Sequence, residues 1–252
     1  MIYIKTIKEI EFMRQNGHIL ASILRELKKI AKIGVSSMDF EKLALKLMKQ
    51  NNGAPSFKGF HGYPTAICFS LNEEIVHAIP REDKIINDQD LVSIDLGFYR
   101  NDFHSDMATS FFMGKPSKQV ESLIETTRES LNRAIEMIRP GIKLGEVSNL
   151  IQSTIEAKGF SVIKELTGHG VGRSLHEDPH IFNYGNPKSG PILKDGMVLA
   201  IEPMASLGSD KIKEGSDGYA YITKDSSLSC HFEHTIAITK NGSEVLTRTL
   251  NS

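Results

Sequence analysis

The chain has 252 residues, enough for one large domain or two small ones, and a chain of that size withdraws roughly 70–75% of its surface from water on folding. Apolar residues make up 40% and the formal net charge is -1, so no global field draws the chain to nucleic acid or to an anionic membrane. Two cysteines, Cys68 and Cys230, make no disulfide framework, the N-terminus lacks the unbroken apolar stretch of a signal peptide, and no apolar run is long enough to span a bilayer, so a soluble cytoplasmic protein is expected.

The spacing of apolar residues predicts a helix over 7–32, where Ile10, Met13, Gly17, Leu20, Leu24 and Leu27 recur at three- and four-residue steps before Gly34. A second helix follows, with Ser36 and Asp39 as a capping pair, Phe40, Leu43, Ala44, Leu47 and Met48 as its apolar stripe, and Gly53 as its stop. Residues 65–71, 91–98 and 106–113 read as strands, the last closed by Pro116. Two more helices are expected over 117–138 and 143–158, ending at Pro140-Gly141 and Gly159. Strands return at 160–163, 197–202, 218–223 and 233–239. The chain thus reads twice as helices followed by strands. That predicts an α+β fold with two related halves around a mainly antiparallel sheet.

Several of these strands carry an acid among apolar residues. Asp95 lies inside Leu91-Val-Ser-Ile-Asp95-Leu96, and a buried lone carboxylate is costly unless paired or bound to metal. Asp106 opens the next strand. A hairpin turning near Asn101-Asp102 is expected to set Asp95 directly opposite Asp106, close enough that a cation between them is the natural relief; a solvated turn flank is the alternative. Glu202 ends the apolar run that starts at Met197, and Glu233 begins another. His169 stands between Gly168 and Gly170, which let the backbone approach something closely. Four carboxylates and one imidazole suit divalent manganese, iron, cobalt or zinc, and the absence of cysteine argues against a structural zinc site. His77 follows a strand and precedes Pro80; the remaining histidines, His231 among them, have no such framing.

Taken together, segment 70–77 with His77, Ser93-Ile-Asp95 with Asp106, Gly168-His169-Gly170 with His176-Glu177, Ile201-Glu202-Pro203-Met204 and Phe232-Glu233-His234-Thr235 resemble the type I methionine aminopeptidases. The resemblance runs over nearly the whole chain, with the motifs in the family's order. It implies the pita-bread fold, two pseudo-symmetric halves around a curved sheet, as a single catalytic domain over residues 1–252. It implies two divalent metal ions on Asp95, Asp106, His169, Glu202 and Glu233, with Asp106 and Glu233 shared. Glu202 would take a proton from the attacking water, and His77 and His176 would contact the substrate. The methionine pocket would comprise Phe57, Phe60, Tyr63, Cys68 and Tyr219. A monovalent cation would lie near Asn72, Glu74 and Ser229.

The implied activity is removal of the N-terminal methionine from nascent proteins when the second residue is small. Nascent-chain N-termini would be the partners, with transient ribosome association and no membrane or specific nucleic acid. The chain departs from the family's usual pattern at Ala78, Ser105 and Tyr219, and the short stretch between Glu202 and Glu233 favours type I over type II. Two rival readings are a proline-specific aminopeptidase of the same fold, which usually carries an extra N-terminal domain, and a non-catalytic binding module, which typically loses the metal ligands.

Overall fold

A computed structural model describes residues 1–249. The four expected helices are α1 (Ile7–Ile30), α2 (Ser37–Gln50), α3 (Lys118–Met137) and α4 (Leu144–Glu156). Thr6 starts α1 through a capping box with Glu9, whose backbone N–H donates to the Thr6 hydroxyl while its carboxylate accepts from the Thr6 N–H. Ser36 caps α2 by accepting from Met38 N, whereas Asp39 contributes only its charge to the first turn. Among the described residues no helix is long and apolar enough to cross a membrane.

Among the described residues the main sheet has nine strands, all paired antiparallel. Its spine runs Leu91–Arg100, Phe103–Phe112, Glu233–Thr239, Val198–Ile201, Thr167–Gly170, Glu177–Phe182. Ile67–Leu71 and Ala54–Pro55 extend one edge along Leu91–Arg100, and Gly242–Val245 pairs with Glu233–Thr239. Each half has its own core. In the first, Leu20, Leu24 and Leu27 of α1 and Phe40 of α2 pack on Ile94, Leu96 and Phe98. In the second, Leu131 and Ile135 of α3 and Val147 and Ile151 of α4 pack on Leu199, Ile201 and Ile236. The fold is the expected α+β architecture with a helix pair preceding each strand set.

The hairpin register departs from expectation. Asn101 and Asp102 both take left-handed φ values, 53° and 64°, forming the two-residue turn whose twist matches the flanking strands. A two-residue turn there pairs Arg100 with Phe103, so Gly97 faces Asp106 and Asp95 faces Ala108. Asp95 and Asp106 are therefore diagonal neighbours on one face rather than directly opposed. Strands Thr167–Gly170 and Glu177–Phe182 lie in the stretch between 163 and 197, where the sequence pattern predicts no strand.

The glycines beside His169 serve strand packing. A Cβ at Gly168 would fall 2.5 Å from the Ala200 carbonyl oxygen, and one at Gly170 would fall 2.2 Å from that of Asp178. What the backbone approaches is its own neighbouring strands. Gly168→Ala and Gly170→Ala should each destabilise the protein by about 1–3 kcal/mol, the usual cost of overpacking. Gly185→Ala, where the nearest atom lies at 3.5 Å, should change stability by no more than about 0.5 kcal/mol, and urea unfolding distinguishes the cases.

Candidate metal centre

Neighbouring strands deliver the five expected side chains to one face of the sheet. Asp95 comes from Leu91–Arg100, Asp106 from Phe103–Phe112 and Glu233 from the first position of Glu233–Thr239. Glu202 follows Val198–Ile201, and His169 lies in Thr167–Gly170. Small residues make room between them: Ala108 pairs with both Asp95 and Glu233, and Ala200 pairs with both His169 and Thr235. Thr235, which closes the Phe232-Glu233-His234-Thr235 motif but had no role assigned from sequence, grips the backbone of Asp106. Its hydroxyl donates to the Asp106 carbonyl at 2.8 Å and accepts from the Asp106 N–H at 2.9 Å.

All five side chains are buried. Ligand atoms of Asp106, His169 and Glu233 lie within 4.8 Å of one another. His169 Nε2 is 3.9 Å from Asp106 Oδ2 and 3.6 Å from Glu202 Oε1. The His169 Nδ1–H donates to the Gly170 carbonyl at 2.9 Å, which leaves Nε2 bare and turned towards the carboxylates. Oδ1 of Asp95 and Oδ1 of Asp106 are buried with no hydrogen-bond partner.

Burial and mutual repulsion push every carboxyl of the group upward. Asp95 rises to about 8, chiefly through desolvation and then through Glu202. Asp106, Glu202 and Glu233 are raised well above the carboxylate range, desolvation again leading and their neighbours' charges adding to it. Desolvation, reinforced by His176, pushes His169 down to about 3, so its ring is neutral. Such a group needs protons or a cation. Bare oxygens beside an imidazole nitrogen with a free lone pair fit a divalent ion.

Above the acids lies a cavity of about 270 Å³, walled by all five expected pocket residues, Phe57, Phe60, Tyr63, Cys68 and Tyr219, and by His77 and His176. Leu175, Val76 and His61 line it as well. Leu175 packs with Phe57 and Cys68 in a small apolar cluster, and nothing in its sequence context but its place beside His176 could have marked it. The His176 ring stands edge-on to Phe60 and His169, at centroid separations of 4.9 and 4.3 Å. The strand that follows is anchored by a buried ion pair: Lys5 Nζ donates to Glu177 Oε2 at 2.6 Å, and Glu177 Oε1 accepts from Ser174 N.

Two of the sequence departures lie away from this face. Ser105 points to α1, its hydroxyl donating to the Met13 carbonyl at 3.3 Å. The Ala78 side chain is fully buried and does not line the cavity. Tyr219 is on the lip, partly exposed, its hydroxyl 3.4 Å from the Gly62 carbonyl. At the expected monovalent site, Ser229 Oγ lies 3.3 Å from the Asn72 carbonyl oxygen and 3.2 Å from that of Glu74. The Glu74 carboxylate is taken by Lys84 at 2.8 Å and the Asn72 side chain by Asp90 at 2.8 Å, so the oxygens that converge there are two carbonyls and one hydroxyl. His231, passed over in the sequence, is buried with its Nε2 3.6 Å from Glu202 Oε2.

Residues 11–240 match metallopeptidase family M24. The chain is 44% identical to methionine aminopeptidase 1 of Bacillus subtilis over 248 residues, covering 98% of this chain and 100% of that protein. The crystal structure of a methionine aminopeptidase from Thermotoga maritima superposes with a TM-score of 0.97 at 46% identity, over 98% of this chain and 100% of that one. A prolidase from Pyrococcus furiosus shares the fold at a TM-score of 0.80 and 27% identity, but this chain covers only 65% of it. The chain therefore belongs to metallopeptidase family M24 and, within it, to the methionine aminopeptidases of bacterial type.

Proposed function

We propose that the chain removes the N-terminal methionine of nascent polypeptides in the cytoplasm when the second residue is small, using two divalent ions held by Asp95, Asp106, His169, Glu202 and Glu233. The observation that carries this reading is the buried group of four carboxyls and one bare imidazole nitrogen beneath an apolar cavity. Asp106 and Glu233, on adjacent strands and both close to His169, would be the shared ligands. The donor set suits cobalt, manganese, iron or zinc. Relatives named for this activity along the full chain length favour it over the prolidase reading.

Divalent ions at this position supply Lewis acidity, activating water and polarising a carbonyl. The protein's own groups do the rest. Glu202 takes the attacking water's proton on a carboxylate oxygen. His176, which desolvation and the neighbouring histidines hold at about 4, is neutral at physiological pH and donates an N–H to the developing oxyanion. His77 faces the scissile amide. The methionine thioether, unbranched and polarisable, fills the space between Phe57, Phe60, Tyr63, Cys68 and Tyr219. A monovalent cation at Asn72, Glu74 and Ser229 would be held by the Asn72 and Glu74 carbonyls and the Ser229 hydroxyl. Substrates emerging at the ribosome imply transient association there, without specific nucleic-acid recognition.

Asp106→Asn and Glu233→Gln should each abolish cleavage of Met-Ala-Ser and lower bound metal, read by peptide assay and elemental analysis; normal turnover in either variant at saturating metal contradicts the shared-ligand assignment. His176→Ala should lower kcat by about 100–1000-fold while metal content stays near wild type, since it removes a hydrogen-bond donor and no ligand. Metal lost in step with activity would instead make His176 a ligand.

Substrate choice supplies the third test. Met-Ala-Ser should be cut and Met-Lys-Ser resisted, because the second side chain must pass His77 and the metal ligands. Leu-Ala-Ser should be cut roughly 10–200-fold less efficiently than Met-Ala-Ser, the range for methylene-scale changes in an apolar pocket. Xaa-Pro peptides that do not begin with methionine should not be cut. Because the Ala78 methyl is buried away from the cavity, Ala78→Gly should leave the ratio of Met-Ala-Ser to Met-Lys-Ser rates unchanged. Equal rates on those two peptides in the wild type would remove the size filter.

A further inference from the structure

We infer that His231 is a positioning residue for Glu202: its Nε2–H holds Glu202 Oε2 and so keeps Oε1 turned towards His169. The inference rests on Glu202 acting as proposed above. Three observations carry it. His231 is 1% exposed, and neither ring nitrogen has a hydrogen-bond partner. Its Nε2 lies 3.6 Å from Glu202 Oε2, while Glu202 Oε1 lies 3.6 Å from His169 Nε2, so the carboxylate has one oxygen facing each imidazole. A small rotation of the carboxylate closes the remaining gap to hydrogen-bond range, about 2.7–3.2 Å.

The third observation is that the backbone of His231 is held from behind. The Ser110 hydroxyl donates to the His231 carbonyl at 2.8 Å and accepts from the His231 N–H at 2.9 Å. Ser93 lies opposite Ser110 across the hairpin, and its hydroxyl is 2.6 Å from that of Ser110. With the Ser110 proton committed to the carbonyl, Ser93 donates to Ser110. Strand Ser229–His231 also pairs with Met204–Ser206, setting His231 across from Met204, just beyond the Glu202-Pro203 exit from its strand. Glu202 is gripped at its other end as well, where Asn183 Nδ2 donates to its carbonyl at 2.9 Å.

A neutral imidazole has one N–H to give, and a buried polar group without a partner costs about 1–3 kcal/mol. The Glu202 carboxylate is the acceptor in front of Nε2. A ring nitrogen that donates its N–H to Glu202 has no lone pair to offer a metal, so the contact orients the carboxylate without adding a sixth ligand. Partners of this kind typically change metal affinity or activity by about 10–100-fold when removed.

The test uses His231→Leu, His231→Gln and His231→Asn, with kcat and KM on Met-Ala-Ser and calorimetric titration of the metal-stripped proteins with cobalt(II). Glutamine places an N–H near the Nε2 position and asparagine near Nδ1. His231→Leu should lower kcat and weaken cobalt binding by about 10–100-fold, with KM near wild type and the number of metals bound unchanged. His231→Gln should restore both, and His231→Asn should not. Wild-type behaviour of the Leu variant, no advantage of Gln over Asn, or outright loss of one bound metal overturns the inference. If the Leu variant fails to fold, the Gln–Asn comparison decides alone. A wild-type protein that leaves Met-Ala-Ser intact sinks the proposed function instead, and the cobalt titrations of the same variants still decide the role of His231.

Discussion

Charge repulsion in a space nearly closed to water governs this molecule. Two carboxylates 4 Å apart repel by about 4 kcal/mol at an effective dielectric of 20. Domain stability is only roughly 5–15 kcal/mol, so two or three such pairs rival all of it. Asp95, Asp106, Glu202 and Glu233 therefore cannot all be ionised together without a compensating cation. The raised carboxyl pKa values and the bare Oδ1 atoms of Asp95 and Asp106 are two signatures of the same imbalance.

The sheet is adapted to that imbalance on both faces. On one face, acids alternate with alanine and glycine, so that Ala108, Ala200 and Gly97 leave the volume that the acidic side chains converge on. On the other, the intervening residues, Ile94, Leu96 and Phe98, are buried against α1 and α2. Ser105 sits on this second face and bonds to α1, while its neighbour Asp106 points into the site. The apolar core thus supplies the stability that the polar face spends. Period-two alternation keeps the two tasks apart.

Much of this was legible in the sequence because it rests on local pattern. The four helices follow from three- and four-residue periodicity and their terminating glycines and prolines. The acids stood out because each interrupts or ends an apolar strand. The hairpin register was missed by the difference between turning at Asn101-Asp102 and turning one position earlier, which only the left-handed φ values of both residues decide. Thr167–Gly170 was not read as a strand because glycine gives no alternating side-chain signal. Thr235 and His231 were illegible for another reason. Both flank Glu233, but nothing local reveals their partners, Asp106 and Glu202, which come from other strands of the chain.

The Lys5–Glu177 pair ties the chemistry to the order in which the chain is made. Lys5 also hooks its backbone N–H to the Gly196 carbonyl at 2.7 Å, so this segment is sewn to ones that the ribosome adds far later. Glu177 adjoins His176 and the loop from Ser174, and a buried carboxylate robbed of its ammonium costs about 3–5 kcal/mol. Contacts of such sequence separation form slowly and late. A polypeptide still on its way out of the ribosome, lacking Glu177 and then Glu233, holds neither the anchored histidine loop nor the full acid group. The acid group is therefore complete only once synthesis has passed Glu233.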